Sequence, residues 1–179
     1  MAPSTGAPII VIGQDSYAAD GTRIDVDTVR WDVPVAGTLE SYDVRPSGFW
    51  QTHVRGAQVL ANAVVAGAFG ADESGVGRAV MELYSGAGLF SVPLARAVGE
   101  TGRVVTLEGE EGAVRDAGEN LAAFHWVDAF AGNVDREGVV DLAGQLGAVP
   151  DVVVADRRGQ GAAPRPARPS RPRALRASS

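Results

Sequence analysis

Ala79-Val-Met-Glu-Leu-Tyr-Ser-Gly-Ala-Gly-Leu-Phe-Ser91 is the stretch from which the fold can be read. It opens as a short apolar run suited to a buried strand and breaks at Gly86 and Gly88. It then continues as the apolar-periodic segment Leu89 to Val98, which predicts a helix. Glycine suits that break because the backbone must turn sharply and leave the amides at the helix N-terminus open to a ligand, where a side chain would collide. The next apolar run, Val104-Val-Thr-Leu, ends at Glu108, twenty residues after Gly88. That separation lets an acid at a second strand's end accept hydrogen bonds from ribose hydroxyls.

Working outward, strands and helices alternate. A strand over 79–84 leads to a helix over 89–98, and Gly99 to Gly102 turns into a strand over 103–107. Glu110 and Glu111 fall in a first helical turn, where the helix dipole favours acids, and that helix runs to about residue 122. A strand at Asp128–Ala131, a helix over 134–146 and a strand ending at Asp156 follow. This order predicts an α/β fold, Rossmann-like, with a parallel sheet covered on both faces and ligands bound at the strands' C-terminal ends. Tyr84 to Gly88, Glu108, Asn133 and Asp156 are thereby expected at one edge. A dinucleotide site prefers a further small residue after the second glycine, whereas bulky Leu89 and Phe90 follow here. The shorter turn suits a ligand with no pyrophosphate, such as S-adenosylmethionine.

Upstream, residues 1–45 read as short strands joined by polar turns, beginning with the apolar run Pro8 to Ile12. Thr38 onward reads as a strand leading to a turn at Pro46-Ser47-Gly48, and residues 54–69 as an amphipathic helix stopped by Gly70. The 179 residues suffice for one domain. There is no cysteine and there are two histidines, so neither a disulfide framework nor a thiolate or histidine-rich metal site is expected. No apolar run reaches membrane-spanning length, and a cytoplasmic location is the default expectation. All 22 acids precede residue 157 and face nine arginines there, a formal −13, while residues 157–179 hold seven arginines and no acid. The body alone would repel nucleic acid.

Several ordered motifs carry a resemblance. Gly48-Phe-Trp-Gln-Thr-His, Glu82-Leu-Tyr-Ser-Gly-Ala-Gly-Leu-Phe-Ser, Val105-Thr-Leu-Glu-Gly, Ala117-Gly-Glu-Asn-Leu and Pro150-Asp-Val-Val-Val-Ala-Asp together resemble the RNA 5-methyluridine methyltransferases, over about residues 40 to 156. The resemblance implies a class I methyltransferase domain over 46–156, incomplete at its C-terminal side, with S-adenosylmethionine as cofactor and ribosomal or transfer RNA as partner. It places Gln51 at the cofactor and target-base pocket, Tyr84, Ser85, Gly86, Gly88 and Leu89 against the methionine moiety, and Glu108 on the ribose. Asn133 would stand beside the adenine, and Asp156 would open the family's Asp-Pro-Pro-Arg motif. The family's N-terminal RNA-binding barrel and C-terminal catalytic part have no counterpart in this sequence.

Two departures bear on activity. Arg157-Arg158-Gly159 follow Asp156 where the family has Pro-Pro-Arg, and the Arg/Pro-rich run beyond reads as disordered. Loss of one cytosine from GAC CCG CCG CGG yields Asp-Arg-Arg-Gly, so the tail is read as out-of-frame translation. The family's reaction also needs a cysteine thiolate to activate uracil carbon 5, and this sequence has none. Cofactor binding without uridine methylation is the expected behaviour. Two other readings stand beside it: a methyltransferase for another nucleophile, and a non-enzymatic binding module with a basic tail.

Overall fold

In a computed structural model, the structure describes residues 9–12, 15–18, 20–51, 53, 55–70 and 74–157. The expected tail lies outside them except for Arg157. The sheet that Ala79–Ser91 predicts is present: β6 (Ala79–Leu83), β7 (Arg103–Glu108), β8 (Val127–Ala131) and β9 (Val152–Ala155) are all parallel, in the order β8-β7-β6-β9. Three helices cross between them, α2 (Ser91–Val98), α3 (Glu111–Asn120) and α4 (Arg136–Leu146). The chain lays β7 and β8 on one side of β6 and then returns to lay β9 on the other. Connections therefore part between β6 and β9, which opens a crevice at the C-terminal ends of those two strands.

Alternate residues of each strand enter different cores, which is why β6 and β7 read as almost unbroken apolar runs. Val80 and Val104 pack with α2, α3 and the N-terminal elements, whereas Met81, Val105 and Leu107 pack with Leu142 and Leu146 of α4. Two helices start later than their apolar periodicity suggests. The residues Leu89 and Phe90 complete the glycine turn, and helical bonding begins when Val92 N–H reaches the Gly88 carbonyl at 3.1 Å. Asp135 caps α4 by accepting from Gly138 N–H at 3.0 Å, so the helix opens at Arg136. At β9, Val154 faces the core but Val153 is more than half exposed, as an apolar residue on the last strand of the described sheet.

The N-terminal part forms an antiparallel sheet of β1 (Ile9–Ile12), β2 (Asp15–Ala18) and β3 (Arg23–Ile24), then a hairpin of β4 (Val29–Val35) and β5 (Thr38–Val44). The hairpin turns on Ala36 and Gly37, both with positive φ (47° and 82°), as a two-residue turn with left-handed central residues requires. Asn62 of α1 (Gly56–Phe69) holds that turn, accepting from Ala36 N–H at 3.0 Å and donating to the Pro34 carbonyl at 3.0 Å.

The hairpin is joined to the parallel-sheet unit by polar ties as well as apolar packing. Tyr42, fully buried, donates its hydroxyl to the Leu89 carbonyl at 3.0 Å. Glu40 is buried and takes two bonds from Arg96 of α2, whose guanidinium also lies over Phe124. Asn120 of α3 links the backbone of Asp43 to the Ala87 carbonyl. Arg45 reaches across to Asp116 and Glu110. Among the described residues no helix is long and apolar enough to cross a membrane, and no cluster of His, Cys, Asp and Glu could hold a metal ion.

Candidate functional site

The segment after β6 is built from left-handed residues: Tyr84 has φ 63°, Gly86 55° and Gly88 89°. Such angles cost glycine little, but a tyrosine held there is strained and is fixed by its surroundings. Tyr84 N–H donates to the Leu107 carbonyl at 2.8 Å, and its hydroxyl points to the Val134 carbonyl at 3.4 Å. Gly88 N–H closes the turn on the Ser85 carbonyl at 3.0 Å. A Cβ at Gly86 would meet no protein atom within 4 Å, so the backbone there is open to an approaching ligand. A Cβ at Gly88 would touch Ala117 of α3 at an ordinary 3.7 Å, so that glycine is required by its φ.

Around this turn lies a small pocket of about 60 Å³, walled by Phe49, Trp50, Gln51, Tyr84, Ser85, Gly86, Ala87, Leu89, Phe90 and Asp156. Trp50 packs on two rings of the hairpin, with Tyr42 at 5.2 Å and Trp31 at 5.8 Å between centroids. Glu108, at the end of β7, is drawn to the turn: its Oε2 accepts from Gly86 N–H at 3.0 Å and its Oε1 from Glu110 N–H at 2.9 Å. Five of the expected residues besides Gln51 thus border one pocket, namely Tyr84, Ser85, Gly86, Leu89 and Asp156, and Glu108 is bonded to one of them. Gly88 supports the turn from behind.

Asn133 lies elsewhere. It lines a separate, larger cavity of about 330 Å³ with Leu107, Phe130 and the α4 residues Gly138, Asp141 and Leu142. Tyr84 borders the first pocket and reaches Val134 beside the second, so its ring stands between the two. Gly138 has to be glycine for the loop to pass, because a Cβ there would collide with the Asn133 carbonyl.

Glu82 is the residue that motif reading passed over as a site member. It sits in β6 with 1% of its surface exposed. Ser91 Oγ donates to its Oε2 at 2.6 Å, while its Oε1 has no hydrogen-bond partner among the described residues. Thr106, its register neighbour on β7, is fully buried and has an unpartnered hydroxyl as well. Burial pushes the Glu82 carboxyl up to about 8, opposed by the Ser91 hydrogen bond and reinforced by the negative charges of Asp156 and Glu108. Its signal in the sequence is a lone acid inside an apolar strand whose neighbours are buried on both faces. Two carboxylates, Glu108 at the end of β7 and Asp156 just after β9, thereby act on the buried Glu82 carboxyl, and their charges favour a cationic ligand and disfavour a pyrophosphate.

No family model matches the chain. Among curated proteins, an RNA methyltransferase of Bifidobacterium longum is 37% identical over 153 residues, covering 83% of this chain and 35% of the relative. A 23S rRNA (uracil(1939)-C(5))-methyltransferase RlmD of Acinetobacter baylyi is 46% identical over 63 residues, covering 34% of this chain and 14% of that protein. Among solved structures, the Thermus thermophilus 16S rRNA N2 G1207 methyltransferase, in complex with AdoMet and guanosine, superposes with a TM-score of 0.57. That alignment is 24% identical and covers 80% of this chain and 36% of the other, which establishes the shared fold. The chain spans about a third of the length of the Bifidobacterium relative. In sequence and in its glycine-turn sheet, the chain is homologous to a segment of these RNA methyltransferases.

Proposed function

We propose that this chain is the S-adenosylmethionine-binding segment of a cytoplasmic RNA methyltransferase, with uracil carbon 5 of ribosomal or transfer RNA as the family's target. The observation that carries the reading is the open Gly86 backbone, tied to Glu108 and set beside Asp156 at the crevice where the sheet connections part. The residues fit this ligand. Its sulfonium and ammonium are cations, matched by the Glu108 and Asp156 carboxylates, and it has no phosphate to be repelled by them. The pocket of Gln51, Tyr84, Ser85, Gly86, Leu89 and Asp156 would take the methionine end, and Glu108 would accept from the ribose hydroxyls. Asn133, in the neighbouring cavity, would face the adenine side. When bound, the cofactor supplies an electrophilic methyl group.

Equilibrium dialysis with S-adenosylmethionine is expected to show saturable binding at one site per chain. Gly86→Ala should weaken it at least tenfold while costing the fold only about 1 kcal/mol, because its Cβ meets no protein atom and only the left-handed φ is disfavoured. Failure of the chain to bind, or equal binding by Gly86→Ala, would remove this reading.

Methyl transfer is a separate matter. Uracil carbon 5 needs a thiolate addition at carbon 6 to become nucleophilic, and the 179 residues contain no cysteine. Incubating the chain with labelled cofactor and unmodified ribosomal RNA is therefore expected to give no 5-methyluridine, and formation of that product would contradict the expectation.

A further inference from the structure

The carboxyl of Glu82 lies directly beneath the glycine turn and is joined to it through Ser91, the residue that follows the pocket-lining Phe90. The groups around it come from every packed element. Thr106 lies beside it on β7, Glu108 stands at the end of β7, and Asp156 follows β9. From the hairpin comes the Tyr42 hydroxyl, itself next to the Glu40–Arg96 pair. The charges that act on Glu82 are those of Asp156 and Glu108, and the nearby Arg96 is committed to Glu40. A third negative charge placed there would face the other two with little water to screen it.

Resting on the cofactor reading, we propose that Glu82 is a positioning residue that ionises as the ligand enters: a neutral acid in the free protein, a carboxylate in the complex, its proton released to solvent. Two features of the site make the exchange favourable. The sulfonium and ammonium of the ligand bring positive charge to Asp156 and Glu108, offsetting the repulsion that adds to burial in keeping Glu82 neutral. The Thr106 hydroxyl, on the same face at the paired register position and without a partner, is a second donor for the carboxylate beside Ser91. Once charged, Glu82 holds Ser91 and the start of α2 by an ionic hydrogen bond, stiffening the turn under the ligand.

Titration calorimetry with S-adenosylmethionine in phosphate and in Tris tests this. At pH 7 the buffer dependence of the heat is expected to report close to one proton released per ligand bound, and affinity should rise nearly tenfold from pH 6 to 7. Glu82→Gln, of equal size and permanently neutral, should lose both effects and bind about tenfold more weakly than the wild type at pH 8. The ligand's own amino group titrates near ~8 in either protein, so the difference between the two proteins isolates Glu82. Binding by the wild type with no proton released, or with the same release in Glu82→Gln, overturns the proposal and leaves the cofactor reading standing. Absence of binding at every pH overturns both. The wild-type buffer comparison decides the matter even if Glu82→Gln does not fold.

Discussion

Replacing Arg45 with methionine is expected to destabilise the folded chain by about 3 kcal/mol, the scale for removing one partner of a buried ion pair. Arg45 donates to Asp116 Oδ1 at 3.0 Å and to Glu110 Oε2 at 2.8 Å, and only 4% of the Asp116 side chain is exposed. Without the guanidinium, Asp116 would keep a single long bond of 3.3 Å from the Arg45 backbone N–H, too little for a carboxylate removed from water. For a chain of this length the loss corresponds to roughly 10 °C in Tm. The double variant Arg45→Met with Asp116→Leu should recover much of it, because no charge is then stranded. Denaturant unfolding of the three variants measures the coupling, and a loss below about 1 kcal/mol in the single variant would show that the pair carries little. Gly112→Ala should act in the same direction, since a Cβ there would occupy the position of the Arg45 guanidinium.

Stability is also expected to fall as pH rises from about 5 to 8, the reverse of what paired carboxylates produce. The Glu82 carboxyl is raised from 4.5 to about 8, chiefly by burial. Below 4.5 it is protonated in both folded and unfolded chains, and its contribution is fully present. Between the two values the unfolded chain loses the proton and the folded one keeps it, so stability declines by at most about 1.4 kcal/mol per pH unit and levels off above 8. The total is a few kcal/mol at most, since water entry on local opening lowers the penalty. Glu110 acts at the other end of the scale. Burial raises its carboxyl, but the Gly112 and Ala113 amides and Arg45 outweigh that and hold it below the usual value, so its contribution disappears as pH falls through the acid range. Urea unfolding of the ligand-free protein at pH 5, 6, 7 and 8 reads the slope. Glu82→Gln should flatten it, and an unchanged slope in that variant would assign the decline to other groups.

The two predictions concern residues that sequence reading treats very differently. Arg45 and Asp116 are 71 positions apart, and nothing in their spacing marks them as partners. Glu82 stands within the most legible motif of the chain, yet its motif alone does not say that one carboxyl oxygen has no partner or that Thr106 lies beside it. In the glycine turn the situation is reversed. The positions needing a left-handed backbone are written there as glycine at 86 and 88, and only Tyr84, a residue type that rarely adopts such an angle, escapes notice.

The parallel sheet, its alternation of strand and helix, and the strand ends at which Tyr84 to Leu89, Glu108 and Asp156 emerge are legible in the sequence without the structure. Apolar period, glycine placement and acids in a helix's first turn are local signals, and each acts within a few residues of where it is written. Tertiary structure alone decided which of those ends meet. It drew Glu108 onto the Gly86 amide, set Asn133 in a second cavity beyond Tyr84, and fastened the N-terminal hairpin to α2 and α3 through Tyr42, Glu40 and Arg45. The physical reason is that side-chain packing and the pairing of buried charges depend on distances between elements far apart in the chain. A carboxyl's charge state depends on the same distances, and Glu82 acquires its neutrality only when β7, β9 and α2 close around it.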